Sequence, residues 1–95
     1  KEARNMKTVT AKEIEDYLTN RLGGISVIDI HIEFPNDLQA FHIEGENDYY
    51  LLQDAQKMYH LLDGKREEKL VGEDPEKFLA HVIQLITNED TTVTY

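Results

Sequence analysis

Residues 48–64, DYYLLQDAQKMYHLLDG, decide the fold, because their apolar side chains fit more than one period. Leu51, Leu52, Ala55, Met58, Tyr59 and Leu62 fall on a single helical stripe that Asp63-Gly64 would end. If Tyr49-Tyr50-Leu51-Leu52 instead adds a strand to a sheet, the helix can begin only near Asp54. The regularity of the stripe favours the longer helix, and that is the expectation carried forward.

Upstream lies ISVIDIHIEF, residues 25–34, which alternates like a half-buried strand. Ile28, Ile30, Ile32 and Phe34 occupy one side, and Asp29, His31 and Glu33 the other. Pro35-Asn36-Asp37 suits a turn, and LQAFHIE, residues 38–44, alternates again. A loop from Pro35 to Leu38 would oppose Ile32 to Phe41 and Ile30 to Ile43, gathering the large apolar side chains on one face. The same register sets His31 against His42 and Asp29 against Glu44 on the other face.

The ends of the chain carry the clearest helix signals. Thr10-Ala11-Lys12-Glu13 is a capping box, followed by Ile14, Tyr17, Leu18 and Leu22 at helical spacing and by Gly23-Gly24, which predicts a helix over 11–22. Asp74-Pro75-Glu76 starts another, with an acid at the cap and proline in the first turn, and Phe78, Leu79, Val82, Ile83, Leu85 and Ile86 supply its apolar face. Residues 65–73 read as a connecting loop, and Thr91 to Tyr95 has strand composition. The predicted fold is therefore α+β: an antiparallel β-hairpin packed against three helices, in the order α-β-β-α-α, with a third short strand from residues 91–95 or from a second subunit. A two-stranded hairpin alone is marginal in water, which is why a third strand is wanted. One domain over residues 6–95 is expected, with residues 1–5 set aside as an artificial extension or a disordered N-terminus.

Composition narrows the function. The net charge of −9 disfavours direct binding to phosphate backbones. Its distribution is uneven: residues 25–63 hold eight acids against Lys57 alone. There is no cysteine, which removes disulfides and thiolate metal sites and fits a cytoplasmic setting. No apolar run approaches a membrane span, and the first residues lack the apolar centre of a signal peptide. Phosphate-loop, dinucleotide, nucleophile-elbow and zinc-protease motifs are all absent, and Ser26 is the sole serine, so no catalysis and no cofactor are expected.

Two groupings remain as candidates. The carboxylates Asp29, Glu33, Glu44, Glu46 and Asp48, with Tyr49 as an exposed aromatic, would contact a basic protein partner, either as a regulatory module or as an inhibitor imitating a phosphate track. Alternatively His31 and His42, opposed across the hairpin among acids, would offer two imidazoles to a divalent metal ion. Pairing of an exposed strand edge with its copy would give a homodimer. The bland counterpart of the first two is a solvated sheet face that only keeps the chain soluble.

Overall fold

The computed structural model describes residues 10–90, with the backbone alone for Glu89 and Asp90. Two helices, α1 (Ala11–Arg21) and α2 (Pro75–Asp90), flank five strands: β1 (Ser26–Asp29), β2 (Gln39–Glu44), β3 (Asp48–Gln53), β4 (Tyr59–Asp63) and β5 (Glu68–Gly72). The strands form one antiparallel meander in the order β1-β2-β3-β4-β5. This corrects the expected hairpin on three helices: the fold is α+β, but residues 48–63 are two strands, and part of the 65–73 connection is a third. Residues 91–95, where a final strand was expected, lie outside the described residues, as do residues 1–5.

The reason for the correction lies at Asp54. Its backbone N–H donates to the Met58 carbonyl oxygen (2.9 Å), the Lys57 N–H donates to the Asp54 carbonyl oxygen (2.9 Å), and Lys57 takes a left-handed φ of 73°. The Asp54 side chain accepts from the N–H groups of Gln56 and Met58, both at 2.9 Å. An aspartate that satisfies two backbone donors of a turn competes directly with helix continuation. The next turn repeats the device: Asp63 Oδ1 accepts from Lys65 and Glu67 N–H groups (2.8 and 3.0 Å), and Arg66 sits at φ 68°. The helical stripe was thus the accidental superposition of two strands and a turn.

The β1–β2 pairing also departs from the expected register. Val27 faces Ile43, Ile28 faces His42 and Asp29 faces Phe41, so His31 does not oppose His42. Asp29 ends β1 because its Oδ1 accepts the His31 N–H at 2.8 Å, turning the chain into a single 3₁₀ turn at His31–Glu33. The offset is an odd number of residues, which reverses the faces of β1 relative to expectation.

One face of the sheet is covered by both helices. Phe41, Ile43, Tyr49, Leu51, Tyr59 and Leu61 point there and meet Ile14 and Leu18 of α1 and Phe78, Leu79, Val82 and Ile86 of α2, all at most 4% exposed. The helix starts are as the sequence indicated. Thr10 and Glu13 exchange both capping-box hydrogen bonds, and Asp74 Oδ1 accepts the Glu76 N–H at 3.0 Å. Helix α1 lies against β1 and α2 against β4 and β5, with contact between the helices. No helix among the described residues is long and apolar enough to cross a membrane.

Candidate functional site

Both helices pack on one side; the other side is open only in part, since Ala40 and Ile30 beside it are 1% and 8% exposed and the β1–β2 connection contacts β2 there. The registers arrange its side chains in rows across the strands. The first row is Ser26, Glu44 and Asp48, at the β2–β3 turn. The second runs Ile28, His42, Tyr50, Leu62 and Glu68, from one edge of the sheet to the other. The third is Ala40, Leu52, His60 and Val71. An irregularity between Leu61 and Leu62 brings Glu68 level with Leu62, toward the row that His60 adjoins.

These side chains are tied to one another. The His42 ring stacks on Tyr50 (centroids 4.8 Å apart, planes 15° apart), while its Nε2 lies 3.3 Å from Asp48 Oδ1. The Arg66 guanidinium sits over the same tyrosine at 4.4 Å, and 5.6 Å from the Phe34 ring. Leu52 and Leu62 are left half-buried, and at the two edges Ile28 and Val71 are 42% and 51% exposed.

His60 holds the best-defined polar cluster. Its Nε2 is 2.8 Å from Asp54 Oδ2 and its Nδ1 3.0 Å from Glu68 Oε1, joining β4 to the preceding turn and to β5. Both ring nitrogens face carboxylates, so both contacts are hydrogen bonds only when the ring is protonated. Burial opposes that charge, but the hydrogen bonds to Asp54 and Glu68 outweigh it and hold the pKa above the ordinary 6.5. In return, the hydrogen bond from His60, with the Met58 N–H next, holds Asp54 below the ordinary 3.8.

The sign of the pH dependence follows. A raised histidine pKa contributes stability that is complete below the unfolded value and is lost as pH rises through the folded one. The lowered Asp54 value contributes above the unfolded carboxylate range and is lost as pH falls through the folded value. The melting temperature should therefore drop between about pH 6 and pH 8.5 by more in the native protein than in a His60→Gln variant, whose side chain does not titrate. Parallel melting curves for the two across that interval would show that the bridge contributes nothing.

The residues singled out from the sequence do not form one patch. Glu44, Glu46 and Asp48 are exposed together at the β2–β3 turn. Asp29 and Glu33 are exposed at the far end of β1, three residues or more from that turn along the ladder, roughly 10 Å away. Tyr49 is 1% exposed on the helix-covered face, because the strand alternates where a helix was expected; Tyr50 is the tyrosine on the open side. His31 Nε2 lies 2.8 Å from the Asp37 carbonyl oxygen, in the β1–β2 connection and away from His42. Among the described residues no group of three or more His, Asp and Glu side chains is placed to hold a metal ion. The His60 cluster escaped the sequence reading because Asp54, His60 and Glu68 converge only once residues 48–72 are three strands. The signal that could have found it is the repeated turn pattern, Asp54-Ala-Gln-Lys57 and Asp63-Gly-Lys-Arg66, each an aspartate three residues before a base. Comparison with protein-family models, with curated proteins and with solved structures returns no match.

Proposed function

We propose that the chain is a small acidic binding or regulatory module, without catalysis of its own, that contacts a basic protein partner. The observation that carries this reading is the exposed carboxylate group Glu44, Glu46 and Asp48 at one end of the sheet, within a segment holding eight acids and one base. Folding does not require that excess, and like charges crowded at one turn oppose it slightly. Opposed to a basic surface, the same charges speed association and select the partner. Among the described histidines, His60 is spanned by two carboxylates and His31 lies against a backbone oxygen, arrangements that fix a ring in place.

Reversal of Glu44, Glu46 and Asp48 to lysine should lower capture of the partner from the native host at least tenfold, and lowering salt should strengthen capture by the native protein. Reversal of Asp16 and Glu73, two exposed acids on helix α1 and just before α2, should change capture less than twofold. The far-ultraviolet circular dichroism of both variants should match the native spectrum, since exposed charges contribute little to stability. Equal capture by both variants would reduce the acidic turn to a solvated surface. Direct binding of duplex DNA at physiological salt would also count against the reading.

A further inference from the structure

The open face of the sheet has an apolar middle and an acidic surround. Ile28, Leu52, Leu62 and Val71 stand on it from β1 to β5, with Tyr50 among them beneath Arg66 and against His42. Glu44 and Asp48 close it at the β2–β3 turn, while Asp54 and Glu68 close it toward the β3–β4 turn and the β5 edge. At about 4.8 Å per strand and 3.4 Å per residue, the three rows cover roughly 19 by 14 Å. That outline is on the order of 300 Å² and includes the acidic first row and the buried Ala40, so its apolar part is smaller still and far below the roughly 800 Å² per partner of a standard interface.

We propose that this face docks a basic amphipathic helix of a partner protein, its apolar side chains over Leu52, Leu62 and Val71 and its lysines or arginines against Glu44, Asp48, Asp54 and Glu68. The proposal rests on the reading of the chain as an acidic recognition module and adds where and what it binds. Charge decides the occupant. A second copy would set the same acidic surround against its own, whereas a basic helix neutralises it. Dimensions agree: about 13 helical residues at 1.5 Å each span the distance from β1 to β5. The small area makes the complex weak and exchangeable, with a dissociation constant in the micromolar range or above.

The face also carries Arg66 on Tyr50 and, whenever its ring is protonated, a second cation in His60 between Asp54 and Glu68. The remaining titratable groups facing His60's side of the sheet are His42, Tyr50, Glu44 and Asp48 in the neighbouring rows. Deprotonation of His60 leaves Asp54 and Glu68 uncompensated, so a basic helix should bind more tightly above that transition than below it.

The test uses an 18-residue synthetic peptide with leucines on one helical face and lysines on the other, against a peptide of identical composition in scrambled order. In methyl and amide NMR titrations, the amphipathic peptide should shift Ile28, Leu52, Leu62 and Val71 saturably, and the scrambled one should bind at least fivefold more weakly. An Ile28→Lys/Val71→Lys variant, with an unchanged circular dichroism spectrum, should lose at least tenfold in affinity. Shifts confined to residues 44–48 would overturn the docking face while leaving the acidic module intact. Equal binding of both peptides, or shifts centred on α1 and α2, would also overturn it. Sedimentation showing a dimer that the same variant dissolves would assign the face to a second copy instead. Absence of any binding by either peptide at low salt would overturn the docking face, while the acidic-module reading is decided separately by partner capture with Glu44, Glu46 and Asp48 reversed.

Discussion

Leu51→Ala should cost about 3–4 kcal/mol of folding stability, the range found when a large aliphatic side chain is removed from a core that cannot collapse around the gap. Leu51 is 0% exposed on the central strand, with Phe41 opposite it on β2 and Leu61 opposite it on β4. Both neighbours are held in a hydrogen-bonded ladder, which limits their movement into the space. A domain of this length has a total of about 5–14 kcal/mol at 0.05–0.15 kcal/mol per residue, so the loss removes a large share of it. Urea unfolding should show a much lower midpoint with an unchanged slope. A cost below about 1 kcal/mol would mean that residue 51 does not lie at the centre of the core.

Phe78→Ala should be of similar size, about 3–5 kcal/mol, with a different structural signature. Phe78 is 3% exposed and stacks on Tyr59 with centroids 5.5 Å apart. It lies over Gly72, where even a Cβ would stand 3.3 Å from the Phe78 Cδ1, so the glycine leaves room for the ring. This contact seats α2 on β4 and β5, and its loss should raise amide exchange in α2 before the sheet. Val71→Lys, one residue from Gly72 but on the open face, should change stability by no more than about 0.5 kcal/mol. Equal costs for the two would show that Val71 is covered.

The two results separate the parts of the fold that were legible in the sequence from those that were not. Both helix starts were legible because capping is local: Thr10 with Glu13, and Asp74 before Pro75, satisfy their own first turns. The strand character of residues 26–29 and 39–44 was legible from alternation, yet the register was not. It depends on Asp29 turning the chain at His31, a hydrogen bond that apolar patterning does not encode. Residues 48–63 were misread for a related reason. On β3, Tyr49 and Leu51 face the helices while Tyr50 and Leu52 face outward, so large side chains stand on both sides and alternation disappears.

The acidic turn was legible as a cluster, since Glu44, Glu46 and Asp48 are close in sequence. Tyr49 was assigned to the wrong side as a consequence of the helix reading, and Tyr50, with His42 and Arg66 against it, takes its place on the open face. The His60 bridge joins a turn, a strand and the next strand, and the sequence hints at it only through the two repeated aspartate turns that bound β4.

Everything proposed for the open face depends on residues 48–63 forming two paired strands. Nuclear Overhauser contacts in the free protein test this most directly. Side-chain contacts from Tyr50 to both His42 and Leu62, and from Leu52 to His60, with extended-chain carbon shifts over residues 49–53 and 59–62, are the expected result. Helical carbon shifts running unbroken from 49 to 62, with contacts between residues three apart, would contradict it.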